Sequence, residues 1–186
     1  ERSGQVREVK FSLAAGSGAI DLPELDPEPL PIASADIRGR IYDGFRGRVV
    51  LPVRGLHDGC ILGFTARRVD DTNDHAPKYL NSPETEIFHK GDLLYNLHRA
   101  KAQAREQRAL VLAEGYMDVI ALTQAGIAHA VAPLGTAVTE RQLAILWRMA
   151  DEPILCFDGD TAGMRAAWRA LDLALPLLQP GKSLRF

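Results

Sequence analysis

Two stretches of this chain share one plan. Ala109-Leu-Val-Leu-Ala-Glu114-Gly-Tyr-Met-Asp118 is a short apolar run that ends in an acid, turns at a glycine and enters a helix. Pro153-Ile-Leu-Cys-Phe-Asp158-Gly-Asp160-Thr-Ala-Gly163 repeats it with two acids. Short apolar runs bounded by turn residues read as buried strands. Each stretch therefore delivers carboxylates to the end of a strand.

The rest of the C-terminal half continues the alternation. Strands are predicted at 109–113, 129–133 and 154–157, and helices at 116–125, 139–149 and 161–175. Gly126 follows the first helix as a C-terminal glycine should, and Thr139 is placed to cap the second. Pro176 ends or kinks the third, and residues 184–186 begin a further strand. Short strands alternating with helices make parallel β-α-β units, so the fold class is α/β. Ligands of such sheets gather at the carboxyl ends of the strands, where Glu114, Asp158 and Gly135 fall. Trp147 and Trp168 occupy helical positions predicted to face the core.

An acid just after a strand has two readings. It can offset the unpaired amides of a helix start, or it can bind a cation. Asp158-Gly-Asp160 tilts the balance, because two acids one residue apart repel unless something positive sits between them. Gly159 is read as clearing space for both carboxylates to aim at one point. An all-oxygen donor set suits Mg²⁺ or Mn²⁺; zinc prefers nitrogen and sulfur. Asp118 remains open between a second metal ligand, an orienting group and a helix-dipole partner. Gly135-Thr136 is either a phosphate cradle or a plain loop.

The N-terminal half is less regular. Residues 6–13 suggest a short strand, and 21–31 hold four prolines and four acids, which predicts an extended connector. Residues 1–40 are accordingly read as extended or irregular. Residues 48–53 and 60–64 form a predicted hairpin around a tight turn at Asp58-Gly59. Pro52 assigns the first strand to an edge, and Arg67 and Arg68 are placed after the second. Residues 70–95 read as a long polar loop and working surface, and 96–108 as a helix outside the core. Residues 36–108 carry 13 basic against 10 acidic residues, while both flanks are acidic. No apolar run approaches the ~18 residues needed to cross a bilayer. The polar N-terminus predicts no secretory leader, and two distant cysteines predict a reducing, cytoplasmic setting.

Glu114-Gly-Tyr-Met-Asp118 and Asp158-Gly-Asp160-x-Ala-Gly163 resemble the two signatures of the Toprim domain. Pro77-Lys-Tyr-Leu-Asn-Ser-Pro-Glu-Thr85 with Ile87-Phe-His-Lys-Gly91 is more specific. It resembles the catalytic core of the bacterial DnaG-type primases, as do Phe45-Arg-x-Arg48, Ala132-x-Leu134-Gly135-Thr136 and Ala166-Ala-Trp168-Arg169. The likeness runs from about residue 42 to residue 186. It implies a Toprim-type parallel sheet flanked by helices over 109–186, preceded by a smaller mixed α+β basic subdomain over 41–108.

The resemblance further implies synthesis of short RNA primers from NTPs on a single-stranded DNA template in the bacterial cytoplasm, with no membrane partner. Glu114, Asp158 and Asp160 would hold Mg²⁺, or Mn²⁺, for nucleotidyl transfer, with Asp118 close by. Arg67, Arg68, Lys78, Tyr79, Asn81 and Lys90 would face nucleotide or nucleic acid, cations for phosphates and tyrosine for a base. The family's zinc module and helicase-binding region have no counterpart here, so no zinc is expected and the replicative helicase would be met elsewhere. A further acidic motif is expected beyond Asp160 and none precedes Phe186, so the Toprim part is read as truncated and its metal site as incomplete. The rival readings are a Toprim nuclease or topoisomerase fragment, and a non-catalytic module that binds nucleic acid or nucleotide.

Overall fold

The computed structural model describes residues 33–35, 41–69, 77–135 and 137–186. The expected strand at 6–13 and the connector at 21–31 lie outside the described residues, as does Thr136. Strands β1 (Ala33–Ala35) and β2 (Ile41–Asp43) pair antiparallel.

The second sheet is antiparallel, in the order β3 (Arg48–Arg54), β4 (Ile61–Arg68), β5 (Tyr79–Asn81). The predicted hairpin is present, with Pro52 on the edge strand. Its connection is wider than the predicted tight turn. The Gly55 amide donates to the Cys60 carbonyl at 2.9 Å, and Gly59 takes a left-handed φ of +74° between them. Asp58 fills the bend instead of a two-residue turn by accepting the Cys60 amide at 3.0 Å. Arg67 and Arg68 are not placed after the strand, because β4 runs on to include both. The reason is β5, a partner for the end of β4 within the segment read as loop. Three residues are too few to show a period of two, so β5 left no pattern in the sequence.

The third sheet has four strands in the order β6 (Leu94–Tyr95), β8 (Ala130–Pro133), β7 (Val111–Ala113), β9 (Ile154–Cys156). β7 runs parallel to both β8 and β9, while β6 is antiparallel to β8. Around them lie α1 (Leu97–Gln107), α2 (Tyr116–Gln124), α3 (Glu140–Met149) and α4 (Thr161–Ala174). Strand alternation divides the core between two faces. Leu112, Val131 and Leu155 meet α1, α3 and α4 on one face. Val111, Ala113, Ala130 and Ala132 meet Val119 of α2 on the other. The α/β class with a parallel sheet flanked by helices is therefore observed. Residues 184–186 add only an isolated parallel bridge, Arg185 to Ile154.

Two expectations about helices fail for the same reason: small side chains pack as well as large ones. Helix α1 is not outside the core, since Leu97, Ala100 and Ala104 are buried along one stripe. In α4 the buried residues are Gly163, Ala170 and Ala174, which let the helix lie close to its neighbours. Trp168 is two positions from Ala170, on the opposite side of the turn, and is 61% exposed rather than core. Trp147 does pack in the core, with its indole N–H donating to the Ser183 carbonyl at 2.9 Å.

Helix α3 begins with a capping box. Thr139 Oγ1 accepts the Gln142 amide at 3.1 Å, and Gln142 Oε1 accepts the Thr139 amide at 3.1 Å. Gln142 is 1% exposed, and its Nε2 donates to the carbonyls of Lys90 and Leu93 at 3.0 and 2.8 Å. That amide, together with the Thr139 hydroxyl donating to the Gly91 carbonyl at 2.6 Å and Arg141 pairing with Asp92, fastens the 3-10 turn at Lys90–Asp92 to α3. Gln142→Ala leaves buried partners unpaired, at an expected cost of about 3 kcal/mol. A urea titration checks this against the exposed control Gln179→Ala. Equal midpoints for the two variants would refute it. Among the described residues, no helix is long and apolar enough to cross a membrane.

A candidate metal and nucleic-acid site

The parallel register places the acids side by side. Ala113 of β7 pairs with Cys156 of β9, so the residues just beyond both strands leave the same edge of the sheet. Glu114 Oε1 accepts the Asp158 amide at 3.1 Å, which ties one acidic turn to the other. Asp118 Oδ2 accepts the Gly115 amide at 3.0 Å and closes the turn that starts α2. Asp160 Oδ1 accepts the amides of Ala162 and Gly163, each at 2.8 Å, and caps α4. Asp158, Asp160 and Asp118 are exposed, and Glu114 is half-buried.

Of the two readings of a strand-end acid, the capping one is seen directly here. The acids share an edge, and three of them already serve backbone amides. Among the described residues no three acidic, histidine or cysteine side chains converge closely enough to hold an ion as they stand. In chemistry the donor set fits a hard divalent cation, because it is all carboxylate and open to solvent.

The glycine that matters differs from the one expected. A Cβ on Gly159 would meet nothing within 4 Å, so no crowding explains that glycine. A Cβ on Gly163 would lie 2.1 Å from the Asp158 carbonyl oxygen. Gly163 allows the first turn of α4 to pack onto the acidic loop. A Cβ on Gly135 would also meet nothing, so its backbone is open, with no cradle shaped around it.

Next to the acids opens a cleft of about 220 Å³, lined by Glu114, Pro133, Phe157, Ala162, Ala166 and Arg169 among others. It pairs an acid with a cation across apolar walls. The sequence reading gave Arg169 no task, since nothing in a helical repeat shows which arginine faces a cleft.

The basic face lies on β4 and β5. Tyr79 is 49% exposed, with the Arg67 guanidinium carbon 5.9 Å and the Lys78 ammonium 6.0 Å from its ring centre. Arg48, on the far edge strand, donates to the carbonyls of Pro77 and Lys78 at 2.7 and 3.3 Å and holds the segment down. The Tyr79 ring meets Tyr116 of α2 edge-on, with centroids 5.6 Å apart. The cationic face and the carboxylate edge are therefore neighbours. Lys90 Nζ stands 3.5 Å from Glu84, and its backbone amide also turns to that carboxylate. Asn81 Nδ2 donates to the Leu134 carbonyl at 2.6 Å, so its amide group links the two sheets.

Comparison with known proteins follows the same two halves. Residues 24–101 match the family model for the N-terminal domain of the DNA primase catalytic core. Residues 108–186 match that for the Toprim domain. A DNA primase of Neisseria meningitidis serogroup A is 50% identical over 151 residues, 81% of this chain and 25% of the relative. The DNA primase of Escherichia coli K12 is 51% identical over 149 residues, 80% of this chain and 25% of the relative. The chain thus spans about a quarter of the length of these relatives. Among solved structures, the E. coli primase catalytic core superposes with a TM-score of 0.76 at 48% identity, covering 83% of this chain and 48% of the other. A DnaG primase catalytic domain bound to single-stranded DNA gives 0.74 at 48% identity, covering 83% and 49%.

Proposed function

The chain belongs to the bacterial DnaG-type DNA primase family, and from that premise we propose that it is part of a centre that synthesises RNA primers. The substrates are NTPs and a growing RNA primer, and the template is single-stranded DNA. The observation that carries this reading is the adjacency of a cationic, aromatic face to an all-carboxylate sheet edge. A relative's catalytic domain bound to single-stranded DNA supports the choice of template.

In this reading Glu114, Asp158 and Asp160 hold Mg²⁺, with Mn²⁺ as a substitute, and Asp118 supports the turn beside them. When bound, the ion would supply charge neutralisation on the triphosphate and activation of the primer 3′-hydroxyl. The chain's own side chains do the rest. Arg67, Arg68, Lys78 and Lys90 draw in phosphates through an electrostatic term that salt weakens. Tyr79 offers a ring for a base to stack on. Asn81 is assigned to the same face, and its bond to Leu134 suits a residue that holds that face against the carboxylate sheet. An all-carboxylate set favours Mg²⁺ or Mn²⁺ over zinc, which prefers nitrogen and sulfur. The setting is the bacterial cytoplasm, and contact with the replicative helicase falls to parts of the relatives that this chain does not cover.

A second reading has one observation in its favour. The acids as they stand act as helix caps, which suits a module that binds nucleic acid without turnover. Incubation of the chain with single-stranded template, four ribonucleotides and Mg²⁺ separates the readings. Short RNA products are expected. Strand nicking without RNA would point to a nuclease, and binding without either would point to the module.

A further inference from the structure

Tyr116 is the first residue of α2 and lies between Glu114 and Asp118 in sequence. Nothing above gives it a task, yet it occupies the aromatic contact between the two larger sheets. It is 6% exposed. Tyr79, from the three-stranded sheet, meets it edge-on with the planes at 86°. Tyr95, from the four-stranded sheet, lies 5.8 Å from it at 54°. Three tyrosines from three elements thus meet, with the buried Tyr116 ring between the exposed Tyr79 and the half-buried Tyr95.

The Tyr116 hydroxyl is buried beside the Thr65 hydroxyl of β4, without a hydrogen bond of ordinary length between them. Its contact with Tyr79 is ring to ring, the edge-to-face geometry that the aromatic quadrupole favours.

Tyr79 needs such support. It stands on a three-residue strand that, among the described residues, pairs with β4 alone. A half-exposed ring that turns freely must lose that freedom when a base stacks on it, and the lost entropy weakens binding. A buried ring against its edge restricts it beforehand. Because Tyr116 follows Gly115 directly, the same contact fixes the platform's distance from Glu114.

We propose that Tyr116 is a positioning residue: its buried ring presets the Tyr79 ring as a stacking platform for a base of single-stranded nucleic acid, at a constant offset from the Glu114 edge. The proposal rests on the reading of Arg67, Lys78 and Tyr79 as a strand-binding face.

The test uses the 186-residue chain and a fluorescein-labelled dT oligonucleotide followed by anisotropy. Tyr79→Leu is expected to weaken binding roughly threefold to tenfold, the range of one aromatic contact. Tyr116→Leu should weaken it by a similar factor, and the double variant no more than Tyr79→Leu alone. Tyr116→Phe keeps the ring and should stay within about twofold of the parent. A role in packing alone would not make the two losses overlap. If Tyr79→Leu changes nothing, the strand-binding reading of this face fails and the proposal with it. If Tyr79→Leu weakens binding while Tyr116→Leu does not, or if the losses multiply, the proposal is overturned and the face stands. Should Tyr116→Leu not fold, Tyr116→Met replaces it under the same outcomes, filling the space with a flexible chain and no ring.

Discussion

Asp158→Ala is expected to cut primer synthesis by roughly a hundredfold to a thousandfold while leaving the fold nearly untouched. Removing a metal ligand forfeits several kcal/mol of transition-state charge stabilisation, and each ~1.4 kcal/mol is a factor of ten. The stability side follows from the structure. The Asp158 side chain is exposed, and the bond that fixes its loop uses its backbone amide, which alanine retains. Exposed substitutions of this kind stay within about 0.5 kcal/mol. Asp160→Ala makes the contrast, because it removes the same kind of charge and also the cap of α4, at about 1 kcal/mol. Primer yield and urea midpoint, measured on both variants, test the pair. Full activity in Asp158→Ala would remove Asp158 from the centre.

The second large effect concerns Gly163. Helix propensity alone says that alanine should stabilise α4 by about 1 kcal/mol relative to glycine. Geometry says the opposite. The new methyl would overlap the Asp158 carbonyl oxygen at 2.1 Å, with the Asp158 carbonyl carbon and amide nitrogen at 2.8 Å. These are backbone atoms, which cannot swing aside as the end of a side chain can. Overpacking of this kind costs about 1–3 kcal/mol or more, so Gly163→Ala should be destabilising on balance. Relieving the clash must displace either the Asp158 loop, whose amide bonds Glu114, or the first turn of α4, so primer synthesis should fall as steeply as in Asp158→Ala. A midpoint equal to or above the parent's would show that the loop yields without strain.

The Toprim half was largely legible because its signals are local. Strand 129–133 and helix 139–149 are found within a residue or so of their expected limits, as Ala130–Pro133 and Glu140–Met149. Thr139-x-x-Gln142 even carries its cap in the sequence. What the sequence hid was non-local. The two-residue β6 and three-residue β5 exist only because β8 and β4 offer them partners. Gln142's second set of bonds reaches back to Lys90 and Leu93, which no spacing rule encodes. The same holds for the acids. Their arrival at one edge was readable from strand order, but their engagement with the amides of Gly115, Ala162 and Gly163 depends on rotamers. Trp168 lies on the exposed side because the core face of α4 is taken by Ala170 and Ala174, whose small side chains carry no such signal in the sequence.

The cap at Asp160 has a consequence for recognising working members of such a family. Asparagine caps a helix as well as aspartate does, since either supplies the oxygen that the amides of Ala162 and Gly163 need. A chain with Asp160→Asn would melt and sediment like its parent while missing one negative charge at the sheet edge. An intact fold is then no certificate of a working enzyme. With Asp160 in the proposed centre, a lineage would lose the chemistry through a single amide and keep a protein of unchanged shape.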